Sequence, residues 1–339
     1  MKLIRTEDAV GHVLCHDMTQ IIKDKYKDAR FRKGHVVTEE DIPVLLSMGK
    51  EHLYVWEMTP GMVHENDAAE RLLTLCGQEN MLRSEVKEGK IELKAACDGV
   101  FLVDSQRLIA VNSQDEVMIA TRKGGTAVRA GDKLAGMRVI PLIIAEEKLQ
   151  KAERAAGGEP LLSLKPYVRK TACIVATGGE VKKGLIQDTF TPVVKDKLAF
   201  YGIETLSVSY SGDGVENVAN AIKEARATGA DVILCTGGMS VDPDDNTPGG
   251  IKESGAKIIT YGAPVLPGAM FLLGYYDDGT PVMGLPGCVM YAGATIFDLV
   301  LPFVAADVPV TRQQIVALGE GGLCLGCKPC HWPECPFGK

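Results

Sequence analysis

Two groups of side chains in this chain of 339 residues have spacings that could do chemistry. Cys324, Cys327, Cys330 and Cys335 follow the pattern C-x2-C-x2-C-x4-C-P and account for four of the ten cysteines. Four thiolates closing in a segment too short to build its own core fit a tetrahedral zinc ion or an iron–sulfur cluster. Two disulfides or a loose reduced tail are the plainer alternatives. The second group is spread over three glycine-bearing loops, each placed after an apolar run. Thr177-Gly178-Gly179-Glu180 opens the first loop, which closes at Asp188 ahead of a helix. The second carries Ser211-Gly212-Asp213-Gly214. The third is Thr236-Gly237-Gly238-Met239-Ser240, followed by Asp242, Asp244 and Asp245. Glycine pairs let backbone N–H groups face an anion, and carboxylates beside them suit a cation or proton transfer. Taken singly, each acid is equally well explained as a helix cap or a turn residue. At a fourth place, Pro286-Gly287-Cys288 predicts the start of a long apolar helix reaching about Phe303. Its free first amides would add a further anion seat.

The elements that must position these residues follow from periodicity. Residues 1–80 read as an α+β module and 81–145 as a small β-rich module, with Gly99–Val103, Arg107–Val111 and Val117–Thr121 among its short strands. Residues 146–168 read as a charged linker helix ending at Gly157-Gly158, and 311–339 as the Cys-rich tail. In residues 169–310, continuous apolar strands such as Ala172–Ala176 alternate with amphipathic helices. That pattern predicts an α/β fold: a three-layer α/β/α domain with a mostly parallel sheet, preceded by a smaller α+β and β-rich region. Ligands on such sheets sit beyond the carboxyl ends of the strands, which is where all three glycine loops fall.

Composition sets the outer bounds. The chain is 46% hydrophobic and 24% charged, an ordinary balance for a globular protein. A net charge of −7 gives no support to a nucleic-acid partner. No apolar run approaches the ~20 residues of a membrane helix, and acids interrupt the N-terminal segment where a signal peptide would be apolar. The other six cysteines stand singly in apolar segments, as reduced core thiols do, so the cytoplasm is the expected compartment.

Residues 169 to about 305 resemble the molybdopterin-binding domain shared by molybdopterin molybdenumtransferases, molybdopterin adenylyltransferases and competence-damage-inducible proteins. The likeness is carried by Thr177-Gly178-x-Glu180 with Gly184-x-Ile186-x-Asp188-Thr189, by Thr236-Gly237-Gly238-Met239-Ser240-Val241 with Asp245, and by Leu285-Pro286-Gly287. Asp213 falls where the family has an acid after the second strand. The chain departs from the family at Cys288 and Val289, where an asparagine and a proline are usual. It also departs at Gly179, usually an acid, and at Asp244, an arginine in the adenylyltransferases.

The resemblance implies a pterin ligand with a dithiolene and a phosphate. Gly178, Gly237, Gly238, Pro286 and Gly287 would hold it, together with Thr177, Asp188, Thr236 and Ser240. Asp245, Asp213 and Glu180 would do the chemistry. Mg²⁺ near Asp188, Asp213, Asp242 and Asp245 would neutralise charge and leave room for molybdate. The expected role is molybdopterin binding in molybdenum cofactor biosynthesis, with Mg²⁺-dependent molybdate insertion. A non-catalytic carrier or sensor docking a molybdoenzyme or cofactor-pathway protein through the Cys tail is the second reading, and a molybdopterin adenylyltransferase is the third. A homo-oligomer is implied by the same resemblance.

Overall fold

The uninterrupted apolar run Ala172–Ala176 is stable only where both faces of a strand are covered, and the fold is organised around that requirement. The computed structural model describes residues 2–22, 26–55, 60–179, 187–243 and 245–339. These residues form two units, one of 1–96, 103–124 and 131–163, the other of 97–102, 125–130 and 164–339.

In the first unit, strands Met81–Arg83, Ile91–Ala95, Lys133–Val139 and Val117–Thr121 pair side by side in that order as an antiparallel sheet. Helix Glu65–Cys76 buries Ala68, Ala69, Leu72 and Leu73, and Gly77 follows it at φ 73°. The charged helix Glu146–Ala156, which composition marks as a spacer, buries Leu149, Ala152 and Ala156. Arg71 clamps it through Glu146 at 2.7 Å and Glu153 at 2.7 Å. Residues 107–111, expected as a strand, are helical within Ser105–Asn112. Asp104 decides this by accepting the Arg107 amide at 3.0 Å, an N-cap that outweighs the β-branched content.

Elements of the second unit are numbered in chain order. They are β1 (Thr171–Thr177), α1 (Phe190–Phe200), β2 (Glu204–Ser211), α2 (Val215–Ala227), β3 (Val232–Thr236) and α3 (Thr247–Glu253). Then follow β4 (Lys257–Tyr261), β5 (Leu272–Tyr275), β6 (Pro281–Leu285), α4 (Ile296–Ala305) and α5 (Arg312–Ala317). The sheet order is β2-β1-β3-β6-β5-β4. The first three pairings are parallel, and β5 and β4 complete the sheet antiparallel. Alternate residues of β1 enter two cores. Ala172 and Ile174 pack with Val194 and Leu198 of α1 and Phe297 of α4. Cys173 and Val175 pack with Val218 and Ile222 of α2 and Ile251 of α3. The sheet is thus covered by helices on both faces, as the continuous apolar strands require.

One boundary differs from expectation. Pro286 does not open the long helix; Gly287–Met290 form a short 3-10 turn, and α4 begins at Ile296. Thr295 and Asp298 make a reciprocal capping box, with Asp298 accepting the Thr295 amide at 2.7 Å and Thr295 Oγ1 accepting the Phe297 amide at 3.2 Å. Those four groups stabilise a start at 295 more than a bare proline does at 286. Among the described residues no helix is long and apolar enough to cross a membrane.

Candidate functional site

Register places the three loops together. Thr177 of β1 lies opposite Ser211 of β2, Ala176 opposite Thr236 of β3, and Thr236 opposite Leu285 of β6. The carboxyl ends of four strands therefore reach one row. Because β2 lies on one side of β1 and β3 on the other, a crevice opens between β1 and β3 where the strand order reverses. A cleft of about 690 Å³ occupies that place.

The floor is built from glycines whose conformation excludes other residues. Gly237 has φ 83° and Gly238 φ 54°, both left-handed. A Cβ on Gly237 would lie 2.3 Å from the Thr177 carbonyl oxygen, and one on Gly238 would lie 2.8 Å from Thr247 Oγ1. Beneath this turn, Thr177 Oγ1 donates to the Thr236 carbonyl at 3.0 Å and Thr247 Oγ1 donates to the Gly237 carbonyl at 2.8 Å. The two hydroxyls lie 2.8 Å apart, so two protons serve three contacts in a closed buried group. The Thr247 amide also donates to the Gly238 carbonyl at 3.2 Å. Thr247 is fully buried, and spacing alone gives no signal of its role.

The acids surround this floor, and most already hold backbone. Asp188 Oδ1 accepts the Phe190 amide at 3.0 Å and the Thr191 amide at 2.9 Å, capping α1. Its other oxygen accepts from the Thr191 hydroxyl and from Tyr210 Oη at 3.3 Å. Desolvation pushes the Asp188 carboxyl up, but those hydrogen bonds together hold it below the ordinary carboxylate range. Asp213 Oδ1 accepts the Gly179 amide at 3.0 Å. A Cβ at position 179 would stand 2.5 Å from Asp213 Oδ2. The Asp242 carbonyl accepts the Asp245 amide at 2.9 Å, turning the third loop. Burial, then the Asp245 carboxylate, push the Tyr261 phenol up; that phenol donates to the Met239 carbonyl at 3.1 Å.

Thr177, Gly178, Asp188, Asp213, Thr236, Gly237, Gly238, Asp242 and Asp245 all line the cleft, with Gln187, Asn246, Thr247 and Met290 as additions. Ser240 is exposed and does not line it, nor do Pro286 and Gly287. The 287–290 turn contributes Met290 instead, whose sulfur accepts from Thr189 Oγ1 at 3.6 Å. Glu180, Gly184, Ile186 and Asp244 lie outside the described residues. The charged groups among the described lining residues are all carboxylates. Among the described residues no three His, Cys, Asp or Glu side chains gather as a metal-holding group, either in the cleft or in the tail.

The tail corrects the expectation of converging sulfurs. Its four cysteines are free thiols, Cys327 and Cys330 exposed, Cys324 and Cys335 partly buried. The segment is instead drawn onto the second unit's core. Phe337 is 2% exposed, and Trp332 meets it edge-on at 5.8 Å. Leu323 bridges Leu266, and the Cys324 amide donates to the Leu266 carbonyl at 2.8 Å. Apolar burial of this kind separates the thiols that the spacing would bring together.

Fold and cleft define an open, mostly parallel α/β domain with a crevice at its switch point. Residues 173–306 match a family described as a probable molybdopterin binding domain, and residues 3–57 match a domain of unknown function. A CinA-like protein of Desulfosudis oleivorans is 37% identical over 84 residues, 25% of this chain and 20% of that protein. One from Petrotoga mobilis is 31% identical over 83 residues, 24% of this chain and 20% of that protein. The chain thus spans about a fifth of the length of the curated relatives it matches. Among solved structures, the molybdopterin biosynthesis Mog protein from Mycobacterium ulcerans aligns with a TM-score of 0.35 and 21% identity over 41% of this chain and 97% of that chain.

Proposed function

We propose that the second unit binds molybdopterin in the cleft between β1 and β3 and serves molybdenum cofactor biosynthesis. The observation that carries this reading is the shared register row. It turns three separate loops into one crevice with left-handed glycines on its floor and carboxylates around its rim. The Gly237–Gly238 turn is the seat for the terminal phosphate, because its backbone N–H groups can face an anion while the charged groups among the described lining residues are all carboxylates. The match of residues 173–306 to a probable molybdopterin binding domain supports the same ligand.

Binding and holding the cofactor is favoured over chemistry upon it by the way the acids are used. The Asp188 and Asp213 carboxylates hold helix or loop backbone, Asp245 Oδ2 accepts the Asp242 amide at 3.4 Å, and among the described residues these acids do not converge as a Mg²⁺ site. Molybdate insertion and adenylyl transfer are separable by assay. The protein is mixed anaerobically with molybdopterin or its adenylylated form, and binding is followed by pterin fluorescence. Turnover is then scored with molybdate, with and without Mg²⁺, and with ATP. Saturable binding lost in Gly238→Ala supports the proposal. Turnover abolished by Asp245→Asn would add catalysis to it. Wild-type affinity no better than that of the Gly238→Ala variant would overturn it.

A further inference from the structure

Most of the apolar lining of the cleft already belongs to the core: Ala176, Phe190 and Val218 line it and are buried. Among the described lining residues, Pro243 and Met290 are the exposed apolar ones, and Pro243 stands among the acids of the third loop. Met290 is 39% exposed, yet it follows a fully buried Val289. The 287–290 turn therefore sends one side chain into the core and leaves the next open to the cleft. A single exposed apolar side chain is ordinary on a protein surface. This one is pinned from two elements. Thr189 Oγ1, at the N-cap of α1, donates to its sulfur at 3.6 Å. Its own loop is anchored by Val289 and Ala294 in the core and by the Lys197 Nζ bond to the Gly293 carbonyl at 3.3 Å.

The two ends of the cleft stand on different faces of the sheet. Val289 packs in the core shared with Val194 and Leu198 of α1, whereas Val218 of α2 and Ile251 of α3 pack in the core of the other face. The Gly237–Gly238 floor is fastened to Thr247 at the start of α3, on that second face. A ligand spanning the cleft needs an anionic end for the floor amides and a flat apolar end for the thioether. Taking the cleft as the pterin site proposed above, we infer that Met290 is its specificity-determining residue, the platform on which a planar heteroaromatic ring lies while the Gly237–Gly238 turn holds the anionic end. A fixed thioether is a soft, polarizable surface that suits an aromatic ring. Carboxylates, the charged groups among the described lining residues, attract cations and give a neutral ring no such surface.

Three probes test this on the full-length protein: molybdopterin, 6-hydroxymethylpterin (the ring without the phosphate) and inorganic phosphate (the anion without the ring). Pterin fluorescence follows the first two, and competition against molybdopterin follows the third. Met290→Ala is expected to weaken both pterins about tenfold and to leave the phosphate competition constant unchanged. Met290→Leu keeps the volume and should recover most of the loss. Because Met290 is exposed, neither substitution empties the core. Equal pterin affinity in wild type and Met290→Ala, or a loss of phosphate binding equal to the loss of pterin binding, would overturn the assignment of Met290. Molybdopterin binding that is lost in Gly238→Ala but unchanged in Met290→Ala leaves the pterin site standing and removes the platform. Failure of the wild-type protein to bind either pterin removes both.

Discussion

Thr247 carries no charge and lies far in sequence from Thr177, yet its hydroxyl closes the hydrogen-bonded group that holds the glycine floor. Thr247→Val keeps the shape and removes that proton, leaving buried oxygens short of a partner. A loss of about 1–3 kcal/mol in unfolding free energy is expected by thermal or urea denaturation. Gly237→Ala is expected to be harsher on the site than on the fold, because its Cβ meets the Thr177 backbone oxygen. Pterin affinity should fall by at least about tenfold while the far-ultraviolet dichroism stays native. Asp188 gives a pH signature. Its folded value is depressed, so its contribution to stability is present above the ordinary carboxylate value of about 3.9 and is lost as pH falls through the folded value. The acid limb of the stability curve should flatten below about pH 4 in Asp188→Asn. The glycines and acids are readable because their residue types stand out in a loop. Thr247 is not, since a threonine hydroxyl acquires a partner 70 residues away only after β1 and β3 pair.

At the scale of elements, the start of α4 shows where local signals compete. Pro286-Gly287 and Thr295-x-x-Asp298 are both legitimate helix openings, and the capping box prevails because it satisfies two amides at once. Thr295→Ala should cost about 1 kcal/mol, visible as a lower melting temperature, whereas Pro286→Ala should change helix content little. The central strand β1 is legible almost to the residue, since an apolar run ending at a glycine pair leaves few alternatives, whereas β4 and β5 go unread in the sequence. Arg107–Val111 is misread: its β-branched residues read as a strand, while the determinant is Asp104 just outside the run. The tail departs from its motif for a different reason. Cysteine spacing reports what four sulfurs can do alone, and it carries no record of the apolar groove that Phe337 and Trp332 fill.

Across the whole molecule, stability should be graded by depth in the sheet. Amides of β1 and β3, the central strands with buried residues on both faces, are expected to exchange with solvent only through global unfolding, while those of Cys327 and Cys330 exchange within seconds to minutes. Phe337→Ala should remove about 3–5 kcal/mol, measured by denaturant unfolding, because that side chain belongs to the main core despite its place in the Cys-rich segment. The path of the backbone has a practical consequence. Strands Gly99–Val103 and Thr126–Val128 pair side by side, the neighbouring strand reaches Pro166, and Tyr167 Oη donates to the Gly99 carbonyl at 2.8 Å, although residues 104–124 between them belong to the first unit. A gene fragment starting near residue 164 would therefore omit two strands of the body it was meant to isolate. Its product is expected to be poorly soluble, and a workable excision would need a circularly rewired or stitched coding sequence rather than one cut.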